Sequence, residues 1–238
     1  MLHIQNLSKV YKEKTVLSVD SIKIIQGQTI GLVGNNGAGK STLLHLILDL
    51  IEPTTGEVFS KDQNVALSED WKNYTGSFLN ESFLIPYLTA YEYFEFIGHL
   101  HGLSKSEVHN YILTTIDFFN GEEYKKILIR DLSAGNRNKV GIIGALIGSP
   151  ELLLLDEPFS FLDPTSQSWL KNKLKKLREN GVTLLISSHD LLHITEISSR
   201  MLVIEKGRII KDFESTPDTL KDLESYFDIS DVLSAQND

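Results

Sequence analysis

Four short apolar runs limit what this chain can fold into: "TIGLVG" at 29–34, "LLLLD" at 152–156, "TLLISSH" at 183–189 and "MLVIEKG" at 201–207. They are nearly continuous rather than alternating, which is the pattern of strands buried on both faces in a parallel sheet covered by helices. Helical periodicity lies between them, so the chain reads as α/β. Residues 2–25 differ, because "LHIQNLSKVY" and "TVLSVDSIKII" alternate and predict antiparallel strands at the N-terminus.

The stretch "TLLHLILDLI" at 42–51 is apolar almost all round and predicts a buried helix, with His45 and Asp49 on its one polar edge. From about 70 to 135 the character changes. "LTAYEYFEFIGHLHGL" and "KSEVHNYILTTIDFF" are aromatic-rich helical patterns with no buried strand between them, which predicts a mostly helical insertion. The segment 212–238 carries acids from Asp212 through Asp228 and Asp231 to Asp238 against Lys221 alone, and reads as a solvated acidic helix and tail. One domain over 1–211 followed by that tail is therefore expected.

With 41% hydrophobic and 23% charged residues the chain has the composition of a folded globular protein. Its formal net charge of −9 argues against general nucleic-acid binding, which needs a surplus of Lys and Arg. There is no cysteine, so disulfides, thiolate metal sites and cysteine nucleophiles are excluded. The N-terminus "MLHIQNLSKVYKEK" lacks the layout of a secretory signal, and no stretch approaches the roughly 20 apolar residues of a membrane span. A soluble, cytoplasmic chain is expected, with any membrane part supplied by another polypeptide.

"GNNGAGKST" at 34–42 comprises Gly34, Asn35, Asn36, Gly37, Ala38, Gly39, Lys40, Ser41 and Thr42, and matches G-x-x-x-x-G-K-[ST]. It follows a predicted buried strand and opens a predicted helix. Glycines let backbone N–H groups wrap a phosphate, and the helix N-terminus adds partial positive charge. Lys40 would reach the β- and γ-phosphates of a nucleoside triphosphate, and Ser41 would offer its hydroxyl to Mg²⁺. "LLLLDEP" then places Asp156 and Glu157 at the carboxyl end of a buried strand, where parallel sheets build ligand sites. Two adjacent carboxylates can divide the work, Asp156 orienting Mg²⁺ and Glu157 polarising an attacking water. "LSAGNRNKV" at 132–140, taken alone, is a helix start with Ser133 as its N-cap.

Together these residues resemble the nucleotide-binding subunit of an ATP-binding cassette (ABC) ATPase, over about residues 2–212 and in that family's motif order. "GNNGAGKST" resembles the Walker A loop, "LSAGN" the signature, "LLLLDEP" Walker B, "SFLDP" at 160–164 the D-loop and "SSHD" at 187–190 the switch-histidine segment. The resemblance implies a P-loop NTPase core with a mostly parallel sheet, an N-terminal antiparallel β-subdomain and a helical insertion. It implies ATP and Mg²⁺ as ligands, Lys40, Glu157 and His189 as the catalytic set, Tyr11 as the aromatic on adenine and Asp163 as the D-loop aspartate facing a second subunit. Aligning "LIPYLT" puts Asn80 where the family has a glutamine that ligands Mg²⁺, with Glu81 as a substitute.

Two cassettes, identical or paralogous, would pack head to tail, with Ser133 and the Gly135 N–H closing on nucleotide held by the other. A polytopic membrane subunit would dock near Asn80 and the helical insertion, placing the chain on the inner face of the membrane as the motor of a transporter, most like those of exporters. The alternatives are a soluble assembly or mechanical ATPase and a regulatory subunit with little turnover. Three departures from the family stand out: Asn80 is one methylene short, Ala134 replaces a glycine and is strained if its φ is positive, and Phe161 is bulky for a D-loop.

Overall fold

The computed structural model describes residues 1–119 and 126–234. Its centre is a six-stranded sheet in the order β10-β9-β3-β8-β7-β6. Here β3 is Thr29–Val33, β6 Thr75–Phe78, β7 Leu152–Asp156, β8 Thr183–Ser188, β9 Arg200–Glu205 and β10 Arg208–Glu214. All pairings are parallel except that of β10 with β9. The apolar runs form β3, β7, β8 and β9, and β3 and β8 are buried at every residue. A second sheet has the order β2-β1-β4-β5, with β1 Leu2–Tyr11, β2 Lys14–Ile24, β4 Thr55–Ser60 and β5 Gln63–Asn64. Its β1 and β2 are the expected antiparallel pair, in a register that sets Ile4 opposite Ile22.

The central sheet separates two cores. One face packs with the antiparallel sheet and α1 (Lys40–Ile47), through Ile30, Leu32, Leu152, Leu154 and Leu202. The other packs under helices, through Val33, Leu153, Leu155, Ile186 and Val203. Those helices are α2 (Ala90–Leu100), α3 (Lys105–Leu113), α4 (Ile116–Phe119), α5 (Ala134–Leu146), α6 (Pro164–Glu179), α7 (Leu191–Ile197) and α8 (Thr219–Ser234). Thr89 and Ser104 start α2 and α3 with reciprocal capping boxes to Glu92 and Glu107. Phe118 of α4 stacks on Trp169 of α6 at 4.3 Å between ring centroids, tying the helical part to the central layer.

Three expected boundaries move. The helix from Thr42 begins at Lys40 and ends at Ile47, because the Leu50 N–H donates to the His45 carbonyl around Asp49 at φ +50°. This is a Schellman ending built on aspartate instead of glycine, and it takes Asp49 off the helix. The helical insertion starts later than residue 70, since β6 at Thr75–Phe78 is a strand of the central sheet; residues 120–125, inside the expected insertion, lie outside the described residues. The tail boundary at 211 falls within β10, where Asp212 accepts two bonds of 2.6 Å from Arg200. Leu223 of α8 is 1% exposed, so the acidic segment is packed on the body through that residue; Asp238 lies outside the described residues.

Candidate active site

The loop 34–42 leaves the carboxyl end of β3 and opens α1. A Cβ on Gly34 would lie 2.2 Å from the Ile204 carbonyl oxygen, so glycine alone lets the loop leave the sheet against β9. Gly39, at φ +114°, is the N-cap and brings no side chain to the first N–H groups of α1. The Gly207 N–H donates to the Ala38 carbonyl at 2.8 Å and pins the loop to the turn after β9. A cavity of about 290 Å³ lies over these N–H groups, bounded also by Val16, Asp156 and Glu157. Backbone donors facing an open space at a helix N-terminus form a cradle for an anion.

The charged side chains converge there. Lys40 is only 6% exposed; its ammonium donates to the Gly34 carbonyl at 2.7 Å and lies 3.4 Å from Glu157 Oε1. Ser41 donates to Asp156 Oδ2 at 2.6 Å, and the Ser187 hydroxyl donates to Asp156 Oδ1. The Glu157 N–H donates to both the carbonyl and the hydroxyl of Ser187, each at 3.1 Å. On its far side Glu157 Oε2 accepts from the His189 N–H at 3.1 Å and lies 2.7 Å from His189 Nδ1, so a proton on that nitrogen completes the bond. Glu157 is thus suspended between Lys40 and His189, with its own backbone at φ +49°.

Ser41 and Asp156 offer one hydroxyl and one carboxylate beside the cradle. Hard oxygen donors in that number suit Mg²⁺, which takes one or two protein ligands and fills its octahedron with phosphate oxygens and water. Among the described residues no group of three or more His, Asp or Glu converges to form a metal cage of protein alone. Asn80 lines a neighbouring cleft of about 390 Å³ together with Asp156 and Glu157. Its Oδ1, the ligating atom, accepts from the Ser82 N–H at 2.9 Å and from the Ser82 hydroxyl, capping the short turn Glu81–Phe83. Glu81 is paired with Arg137 of α5. Both side chains expected to substitute for a glutamine are therefore engaged within this chain.

Ser133 caps α5 as expected, accepting from the Asn136 N–H at 3.2 Å. Ala134 is the first helical residue and is absent from the residues with positive φ, so the anticipated strain does not arise. Gly135 is the residue with no room, since a Cβ there would lie 2.6 Å from the Phe161 carbonyl oxygen. Phe161 is 78% exposed and holds φ +63°. Asp163 caps α6, accepting from the Ser166 N–H at 2.9 Å and its hydroxyl at 2.6 Å, with Lys139 Nζ 3.2 Å away. The Ser166 donors, seconded by Lys139, hold the Asp163 carboxyl well below the usual range. Tyr11 ends β1 half exposed, with the Lys9 ammonium 4.9 Å from its ring.

Three residues of this constellation escaped the sequence reading. Val16 offers no signal beyond its place on a strand. Ser187 lies in "SSHD", where only His189 was given a role. Lys139, 4% exposed, was marked only by a cation entering an apolar helix.

The family described as ABC transporter matches residues 17–160 of the chain. An uncharacterised ABC transporter ATP-binding protein of Bacillus subtilis, YhaQ, is 33% identical over 208 residues, 87% of this chain and 69% of its own length. The lantibiotic transport ATP-binding protein SrtF of Streptococcus pyogenes is 32% identical over 95% of this chain and 96% of its own. Among solved structures, the dimeric post-hydrolysis state of the ATP-binding cassette MJ0796 bound to ADP and Pi superposes with a TM-score of 0.82. It is 26% identical and matches 91% of this chain and 99% of its own.

Proposed function

This chain belongs to the ABC transporter family as an ATP-binding subunit with ATPase activity, and from that premise we propose that it powers an exporter through ATP-driven closure of a head-to-tail dimer. The observation that carries the chemistry is the suspension of Glu157 between Lys40 and His189 beside the phosphate cradle. When ATP enters, its β- and γ-phosphates take the N–H groups of the loop and draw the Lys40 ammonium off Gly34 and Glu157. Glu157, still held by His189, then accepts the proton of a water that attacks the γ-phosphorus. The bond to the β–γ bridging oxygen breaks, and ADP and phosphate leave. Ser41 and Asp156 would hold Mg²⁺ beside the phosphates, where it would supply charge neutralisation for the phosphate oxygens.

Tyr11 stacks on adenine outside the phosphate cavity, and Ser133 with the Gly135 N–H completes the site of the second subunit. Asn80 follows its neighbouring loop and reaches the metal only if it releases Ser82. The dimeric relative supports the pairing, and the match with a lantibiotic transport ATP-binding protein over 95% of this chain supports the transporter assignment. A polytopic membrane subunit docks on the cleft of about 340 Å³ between Leu48, Trp71 and Phe83, where Leu50 and Phe83 are half exposed. That contact keeps the chain on the cytoplasmic face of the membrane; among the described residues no helix is long and apolar enough to cross one.

The test is Glu157→Gln in the purified full chain with Mg·ATP. The variant binds ATP, elutes as a dimer by size exclusion and releases no phosphate above background. Phosphate release at the wild-type rate removes Glu157 from the mechanism.

A further inference from the structure

The segment from Glu157 to Asp163 carries two residues with side chains in the left-handed region, Glu157 at φ +49° and Phe161 at φ +63°. Such conformations persist only where surrounding contacts impose them. Ser187 holds the Glu157 N–H and Gln167 of α6 reaches the Phe159 carbonyl, and α5 holds the rest of the segment. Asn138 of α5, 7% exposed, donates from Nδ2 to the Pro158 carbonyl at 3.1 Å and to the Ser160 carbonyl at 2.5 Å. The next residue, Lys139, lies 3.2 Å from Asp163. Gly135, one turn earlier, packs against the Phe161 carbonyl.

We propose that Asn138 is a positioning residue for Glu157. Its carboxamide grips the first and third carbonyls beyond Glu157, those of Pro158 and Ser160, and holds the strap between the left-handed residues, so that the carboxylate points between Lys40 and His189. The inference rests on the reading of Glu157 as the proton acceptor and adds a second role for α5. Its N-terminus reaches the nucleotide of the other subunit, and its second turn sets the carboxylate of its own site. A shift of α5 would thereby be delivered to Glu157 through a side chain that lines no part of the phosphate cavity.

The experiment compares Asn138→Asp, Asn138→Ser, Val140→Ala and Glu157→Gln in the full chain, measuring kcat and KM for Mg·ATP and the thermal midpoint. Asn138→Asp keeps the size of the side chain and removes both donors. Its kcat falls by roughly ten- to hundred-fold, the scale expected when a catalytic group is misplaced by about an ångström, while KM is unchanged. Asn138→Ser, with one donor, falls in between and supplies the answer if the aspartate variant does not fold. Val140→Ala, a cavity in the same buried helix, lowers the midpoint and leaves kcat of the folded protein unchanged. Wild-type kcat in both folded Asn138 variants, or a raised KM at unchanged kcat, overturns the proposal. If Glu157→Gln abolishes turnover in that same outcome, Asn138 alone was misassigned. Wild-type turnover in Glu157→Gln instead overturns the proton-acceptor reading and this inference with it.

Discussion

Adding one methyl group at Gly135 sets two effects of opposite sign against each other. Gly135 is in the first turn of α5 with an ordinary φ, so by helix propensity Gly135→Ala gains up to about 1 kcal/mol. The new Cβ, however, would stand 2.6 Å from the Phe161 carbonyl oxygen, where ordinary contact begins at 3.4 Å. The clash is with backbone, and that backbone is not free to recede. Phe161 is already left-handed at φ +63°, and the Ser160 carbonyl beside it is held by Asn138 at 2.5 Å. Overpacking of this kind costs about 1–3 kcal/mol. A 2.6 Å approach to backbone that is held in place belongs in the upper part of that range, about 2–3 kcal/mol, so the steric term exceeds propensity and leaves a net loss of about 1–2 kcal/mol. For a chain of this length that lowers the thermal midpoint by about 2–8 °C. Circular dichroism of the nucleotide-free full chain measures it. A midpoint equal to or above that of the wild type shows that propensity governs the site, and would refute the steric argument for glycine at this position.

Ala134→Gly separates the neighbouring position from this one: because Ala134 has an ordinary helical φ, the change loses up to about 1 kcal/mol of helix stability and brings no relief of strain. ATP-driven dimerisation of the Glu157→Gln background, followed by sedimentation, is expected to be unaltered by it; tighter association would mean that the methyl group obstructs closure. Asp163→Ala removes the cap of α6 and orphans Lys139, costing about 1 kcal/mol for the cap alone, whereas Asp163→Asn restores the cap without the charge. Since the folded Asp163 carboxyl is held below its unfolded value, its contribution is full above about pH 4 and is lost as pH falls through the folded value. Urea titrations at several pH values are expected to show a constant gap between wild type and Asp163→Ala above that point and a narrowing one below it. A gap that instead widens on acidification contradicts the assignment.

The parts of the fold legible in the sequence were those whose burial is local in the chain. β3, β7, β8 and β9 announced themselves because strands covered on both faces must be apolar throughout, and the phosphate loop because its glycines and Lys40 act within nine residues of each other. β6 was not legible, since "TGSF" is four residues long and only Gly76 and Phe78 are buried. Asp49 concealed the end of α1, as an aspartate at φ +50° does the work usually signalled by glycine. At the site, Lys40, Ser41, Asp156, Glu157 and His189 come together as their motifs suggested. What no motif could display were contacts across the chain: Ser187 on Asp156, Arg137 on Glu81, and Asn138 with Lys139 along the segment before α6. The identity of Ala134 alone suggests strain, and its ordinary helical φ removes it.

The two cores that share the central sheet divide the run of four leucines in β7. Leu152 and Leu154 belong with Leu32 and Leu44 on the side of the phosphate loop, and Leu153 and Leu155 with Val140 and Ile143 on the side of α5. Truncations on opposite faces share no packing partner and couple less than those that share a cavity wall. Energetic kinship along this strand therefore skips a residue: Leu152 and Leu153, joined by a peptide bond, are strangers, while Leu152 and Leu154 are neighbours. A stretch that reads as one letter repeated is two interleaved pairs, each answering to a different half of the molecule.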